Sequence, residues 1–220
     1  MKLIFYSGGH DFENLSIDKN LLELSNKESP QITYIPSCSY LCDQDFIEFV
    51  NQYGKFNIHN IINFPIDIPY TEILKTEVLK SDIIHLSGGN TYYFLKYLRQ
   101  SGMLSELKQF VKNGGILTGL SAGAIIMTSS IETAGFPEFD KDENDENLKN
   151  LKGMGLVNFE FFPHYKNSKR YDREIVSYSR SHDSPVYACP DGSGIIVNNN
   201  QLTFIGKAFC FFKGKKFIIK

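Results

Sequence analysis

The 220-residue sequence has only four cysteines, no apolar run of membrane-spanning length and almost no charge imbalance, and each shortage removes a class of protein. Cys38, Cys42, Cys189 and Cys210 are too few for a disulfide framework in a chain this long, and they lack paired metal-ligand spacing, so they read as buried or surface thiols. With 23 basic and 25 acidic side chains the formal net charge is -2, which gives no global electrostatic reason to bind nucleic acid or an anionic membrane. No stretch approaches the roughly 20 apolar residues that a membrane-spanning helix needs. The opening MKLIFYSGG is a strand-length apolar run followed by turn residues, without a signal-peptide core or a small-residue cleavage site, so a reducing, cytoplasmic setting is expected. Internal repeats are missing as well.

What is present is 42% hydrophobic residues, enough to bury a sizeable core in one α/β domain spanning 1–220. The first 130 residues alternate short apolar runs with longer amphipathic ones, the pattern of βαβ units and a parallel sheet. Strands are predicted at Lys2 to Ser7, Gln31 to Pro36, Asn57 to Ile62, Asp82 to Leu86 and Gly115 to Gly119. Helical spacing covers Asp18 to Leu24, Asp43 to Gln52, Ile73 to Leu79, Thr91 to Leu98 and Leu104 to Val111, with Lys96 and Arg99 left for solvent. From Pro185 onward the pattern turns to short strands, which predicts a C-terminal antiparallel meander on the sheet edge. The acidic stretch FDKDENDENLKN, Phe139 to Asn150, reads as a solvated loop or frayed helix; as a lid beside the site it would matter more.

Right-handed crossovers put ligand sites beyond the carboxyl ends of the strands, which directs attention to the loops there. Gly119, Leu120, Ser121, Ala122 and Gly123 spell G-x-S-x-G between the strand GGILTGL and the small-residue run AGAIIM. A serine on such a tight turn projects its hydroxyl toward a substrate carbonyl, and the amide of Ala122 at the helix start can face a developing oxyanion. The plainer reading of the same turn is a serine that caps a helix. A second glycine turn, Ser87 to Asn90, follows the strand SDIIHL; there Gly89 can offer a second amide donor and Asn90 can cap the next helix.

A serine hydroxyl needs a base. Of His10, His59, His85, His164 and His182, the choice falls on His164, because EFFPHY places it at a strand end. His10, after the first strand, can also reach the site; His85 reads as a hydrogen-bonded core residue, and His59 and His182 as surface positions. Acids between Ser121 and His164 that can orient the ring include Glu132, Glu138, Asp140 and Asp142, and the residues alone do not choose among them.

LSGGNTYYFL at Leu86 to Leu95, GLSAGAI at Gly119 to Ile125, FPHY at Phe162 to Tyr165 and SKRYDREI at Ser168 to Ile175 together resemble the peptidase E (α-aspartyl dipeptidase) and cyanophycinase family over nearly the whole chain. That resemblance implies a fold similar to class I glutamine amidotransferases: a flavodoxin-like three-layer α/β/α domain with a mostly parallel central sheet. It implies Ser121 as nucleophile, His164 as base, and Gly89 with Ala122 as oxyanion donors, without metal or organic cofactor. Peptidase E carries an aspartate shortly after the elbow, where IETAGFPEF offers only glutamates; Glu138 is then the expected third member, with Glu132 second. The resemblance also implies substrate contacts from Asn90 and from Arg170 or Arg173, the arginines reading an acidic side chain unless they simply face solvent. Elbow cysteine, the nucleophile of amidotransferases of this fold, is replaced here by serine.

The expected activity is serine-type hydrolysis of short peptides, including those with an amino-terminal acidic residue. The alternatives are a cyanophycinase-like hydrolase of β-aspartyl polymers and a catalytically silent scaffold of the same fold. A small peptide is the expected partner, nucleic acid and membrane are not, and a homodimer is compatible with the sequence.

Overall fold

A computed structural model describes residues 1–40 and 42–219. The chain runs β1 (Lys2–Tyr6), α1 (Asp11–Ser25), β2 (Ile32–Ile35), α2 (Cys42–Gly54), β3 (Ile61–Asn63), α3 (Glu72–Val78), β4 (Ile83–Leu86), α4 (Thr91–Gln100), α5 (Met103–Lys112), β5 (Ile116–Leu120) and α6 (Ala122–Met127). A 3-10 turn (Glu132–Gly135) and a long loop lead to β6 (Glu160–Phe162) and α7 (Lys169–Ser181). Five strands close the chain: β7 (Val186–Ala188), β8 (Gly194–Asn198), β9 (Gln201–Ile205), β10 (Ala208–Phe212) and β11 (Lys215–Ile219).

The main sheet has the order β3-β2-β4-β5-β1-β8-β9; its first five strands are parallel, and β8 and β9 extend it antiparallel. Alternate residues of β1 supply two cores, as strand geometry requires. Leu3 and Phe5 pack with Leu95, Leu98, Leu107 and Ile126 from α4, α5 and α6, whereas Ile4 and Tyr6 pack with Ile17, Leu21, Phe49 and Tyr53 from α1 and α2. Each fully buried side chain of this kind stabilises the fold by about 1.5–3 kcal/mol. The result is the three-layer α/β/α arrangement expected from the sequence. Among the described residues no helix is long and apolar enough to cross a membrane.

The C-terminal strands do not form one meander. β8 is buried on both faces beside β1, and β9 pairs with it, while β7, β10 and β11 join β6 in a second sheet of order β11-β10-β7-β6. Phe209 and Phe211 of β10 explain the separation, because they pack with Tyr165, Tyr171 and Ile175 under α7 as a third apolar cluster. Two other boundaries move. α1 begins at Asp11, where the Glu13 carboxylate accepts the His10 amide at 2.8 Å and closes the first turn, although exposed Phe12 and Leu15 hide the amphipathic pattern there. β3 begins only at Ile61, because residues 55–60 turn back on α2: Asn57 has φ 61° and the Ile58 amide donates to the Tyr53 carbonyl.

The cysteines Cys38, Cys189 and Cys210 are free thiols, and burial pushes Cys189 up to about 12; Cys42 falls outside the side chains described.

Candidate active site

The carboxyl ends of β1, β4, β5, β6 and β7 converge on one edge of the two sheets. At the end of β5 the chain turns through Ser121 at φ 49° and ψ -108°, a conformation that costs a non-glycine residue about 1–3 kcal/mol and exposes its hydroxyl. Two contacts hold the turn: the Ser121 amide donates to the Tyr6 carbonyl at 3.0 Å, and the Gly123 amide donates to the Ser87 carbonyl at 3.1 Å. A Cβ at Gly119 would overlap the backbone of Gly123, and one at Gly123 would overlap Leu86, so the flanking glycines are required by close approach.

His164 follows β6 and stands with its Nε2 2.8 Å from the Ser121 Oγ. Its Nδ1 lies 2.7 Å from Oδ1 of Asp191, which follows β7. A neutral ring protonated at Nδ1 donates to Asp191 and leaves Nε2 as acceptor for the Ser121 hydroxyl. Both the imidazole and the carboxylate are 44% exposed, so the pair opens to solvent and substrate. The loop carrying Asp191 is sewn to the end of β1: the Gly192 amide donates to the Gly8 carbonyl and the Ser7 amide to the Ser193 carbonyl, both at 3.0 Å.

Asp191 replaces Glu138 as the carboxylate against His164. Glu138 is 82% exposed and pairs with Lys141 at 2.8 Å. Glu132, Asp140 and Asp142 are also engaged elsewhere. Glu132 accepts from the Tyr178 hydroxyl at 3.0 Å and faces His182 Nε2 at 3.2 Å; Asp140 accepts from the Tyr171 hydroxyl at 2.6 Å, and Asp142 from the Thr91 amide at 2.8 Å. The sequence signal for Asp191 is the turn CPDGSG directly after the strand VYA, which lies beyond His164 rather than between Ser121 and His164.

The amides of Gly89 and Ala122 have no acceptor among the described residues, and a Cβ added at Gly88 would lie in van der Waals contact with the Leu120 and Ser121 side chains. Gly89 has φ 130° and its missing Cβ would strike Ser37, so this loop admits only glycine there. Asn90 caps α4, accepting from the Tyr93 amide at 2.9 Å, and its Nδ2 donates to the Glu143 carbonyl at 2.8 Å, which leaves its amide group occupied. Arg170 stacks on the Phe139 ring at 3.3 Å from the centroid, and Arg173 is exposed; neither lines a cavity at Ser121. His10 lines the larger cavity, and His85 is buried with Nδ1 2.7 Å from Thr118 Oγ1.

The segment Phe139 to Asn150 is docked along α4 and carries Asp140 and Asp142 into the site wall. Lys96 pairs with Glu146, and the Arg99 guanidinium donates to the carbonyls of Asn150 and Lys152 at 2.7 and 2.6 Å. The two cations assigned to solvent thus fasten the acidic strap. Beside Ser121 and His164 a small cavity of about 100 Å³ is closed by Phe136, Phe162, Asp140 and Asp142. A larger one of about 670 Å³ opens past Gly88, Gly89 and Leu120 toward α1 and α2. Among the described residues no group of three or more His, Cys, Asp or Glu side chains is arranged to hold a metal ion.

A strained serine on a strand-to-helix turn, hydrogen-bonded to a histidine that is itself hydrogen-bonded to a carboxylate, is an arrangement also used by hydrolases that work by nucleophilic attack. Residues 3–205 match Peptidase family S51, and the chain belongs to that family; it is a peptidase. Over 211 residues it is 30% identical to the Bacillus subtilis (strain 168) protein named "Uncharacterized peptidase YgaJ", covering 92% of this chain and 86% of that one. It is also 30% identical over 137 residues to Peptidase E of Salmonella arizonae, covering 58% of this chain and 56% of the relative. A crystal structure of a peptidase from an acI-B1 Actinobacterium superposes with a TM-score of 0.70 at 16% identity, over 99% of this chain and 93% of the other, and supports the fold.

Proposed function

We propose that this chain is a serine-type peptidase that hydrolyses short peptides through an acyl-enzyme on Ser121. The hydrogen-bonded series Ser121, His164, Asp191 carries the reading. In the first half-reaction His164 Nε2 takes the Ser121 proton as Oγ adds to the scissile carbonyl, and Asp191 stabilises the imidazolium. The amides of Ala122 and Gly89 receive the oxyanion. The imidazolium then protonates the departing amine, leaving the acyl group on Oγ; a water deprotonated by His164 attacks the ester and releases the second product. The 100 Å³ cavity, walled by the docked strap, favours short substrates over folded chains.

The narrower class implied by the resemblance, an amino-terminal acidic residue, would be read by Arg170 or Arg173. Both stand on α7 outside the cavity linings. The test is turnover of dipeptides of the form Asp-X, Glu-X, Ala-X, Leu-X and Arg-X by the purified protein and by Ser121→Ala. Cleavage that falls by about three orders of magnitude or more in the variant is expected; cleavage that the variant retains would sink the nucleophile assignment.

A further inference from the structure

The acidic strap takes no part in the proton transfers at Ser121, yet two of its contacts fall directly after an oxyanion donor. The Thr91 amide donates to Asp142 Oδ2 at 2.8 Å, and Asn90 Nδ2 donates to the Glu143 carbonyl at 2.8 Å. Asn90 and Thr91 are the two residues that follow Gly89. Two consecutive strap residues therefore grip the two residues in which the glycine loop ends and α4 begins.

A helix start leaves its first amides without backbone acceptors, and the helix dipole favours a carboxylate there. In α4 the Asn90 side chain serves only the Tyr93 amide, at 2.9 Å; Thr91, 0% exposed, depends on Asp142 for its own. The strap is itself fixed from outside the site. The Asp142 amide donates to the Ala134 carbonyl at 2.9 Å, Asp140 accepts from Tyr171, and Lys96 and Arg99 hold the far end on α4. Asn144 folds the part between, its Oδ1 accepting the Leu148 amide at 2.8 Å.

The near end of the glycine loop is anchored by the sheet. The Ser87 amide donates to the Ile35 carbonyl at 3.0 Å, and Ser87 Oγ donates to the Gly88 carbonyl at 2.9 Å. Between the two ends Gly89 sits at φ 130°, and a glycine has many other backbone angles of similar energy open to it. The direction of its amide is thus set by the anchors on either side, and the tertiary anchors after it come from the strap.

We propose that Asp142 is a positioning residue for the oxyanion site: its carboxylate and the neighbouring Glu143 carbonyl hold Thr91 and Asn90 so that the Gly89 amide points at the carbonyl under attack. The acidic run is then a brace on the catalytic loop, and Asp142 works as a hydrogen-bond acceptor whose charge is dispensable. This rests on the serine-peptidase reading for its effect on turnover, but the bracing can be measured without substrate.

The experiment combines amide hydrogen exchange with kinetics on the dipeptide cleaved best, in Asp142→Ala, Asp142→Asn and Asn90→Ser. Exchange is read at Tyr93 and Phe94, whose amides bond to Asn90 and not to the strap. Asp142→Ala is expected to speed exchange there by about tenfold or more while the amides of β1 and β5 keep their rates. Its kcat falls about tenfold to a hundredfold with KM within about twofold, and the pH midpoint of kcat/KM does not move, because His164 and Asp191 are untouched. Asp142→Asn keeps an acceptor for Thr91 and recovers most of both losses. Asn90→Ser keeps a cap for Tyr93 but loses the donor to Glu143, so it lowers kcat in the same way and carries the test if the alanine variant fails to fold. Unchanged protection in Asp142→Ala, lost protection with kcat intact, or an asparagine variant as impaired as the alanine one would each overturn the proposal. Faster exchange in Asp142→Ala, but no Ser121-dependent cleavage by the unaltered protein, would instead sink the serine-peptidase reading and leave the brace standing.

Discussion

The Ser7 hydroxyl, fully buried at the end of β1, accepts the amide of His164 at 2.8 Å. The same oxygen donates to the Cys189 carbonyl at 2.6 Å, two residues before Asp191. One side chain thus ties together the loops that carry the imidazole and its carboxylate. The tie has work to do, because His164 itself sits at φ 53°, where a non-glycine residue stays only if its surroundings hold it.

Ser7→Ala leaves the Cys189 carbonyl with another donor, the Tyr165 amide at 3.0 Å, but takes from the part-buried His164 amide its partner. A cost of about 1–2 kcal/mol in unfolding free energy is expected. Displacing the ring from the Ser121 hydroxyl lowers kcat about tenfold to a hundredfold with KM little changed. Denaturant unfolding and steady-state kinetics on one preparation check both; a stability loss with kcat intact would make Ser7 a purely structural residue.

The two carboxylates that compete for the third place separate by substitution. Asp191→Asn keeps the shape but can donate to Nδ1 and favours the wrong tautomer, so kcat falls by roughly three to four orders of magnitude. Glu138→Gln disturbs only an exposed ion pair with Lys141 and changes kcat by less than about twofold. The opposite ranking of the two variants would return the role to Glu138.

Ser121, His164 and Gly89 were legible because each belongs to a short local pattern: glycines around a serine after an apolar strand, a histidine after a strand-ending proline, a double-glycine turn. Asp191 is not legible that way. It lies 27 residues beyond His164, and only the parallel pairing of β6 with β7 brings their carboxyl ends together. The division of the last strands between two sheets was hidden for a related reason. Short alternating strands announce pairing but not partners, and the choice was made by packing of Phe209 and Phe211 under α7. The strap from Phe139 to Asn150 has the composition of a solvated loop, yet Lys96 and Arg99, which look like solvent-facing helix cations, hold it in place.

His85 supplies a test of the core by pH. It is buried at the centre of the sheet, its Nδ1 against Thr118 Oγ1 and its ring stacked on Tyr34, and burial lowers its pKa to about 3 from an ordinary 6.5. For a base whose folded pKa is depressed, the unfolded chain takes up a proton that the folded chain refuses. Folding is therefore unaffected by this group above about pH 6.5 and loses stability as the pH falls from 6.5 toward 3, at about 1.4 kcal/mol per pH unit. Between pH 6.5 and pH 4.5 the loss attributable to His85 is then on the order of 2–3 kcal/mol. His85→Gln retains a hydrogen-bonding partner for Thr118 and removes the titration, so the difference in unfolding free energy between the two proteins should shift in the variant's favour by that amount over the same interval. Urea unfolding of both proteins at the two pH values measures it, and parallel acid-side curves would show that His85 is protonated in the folded chain.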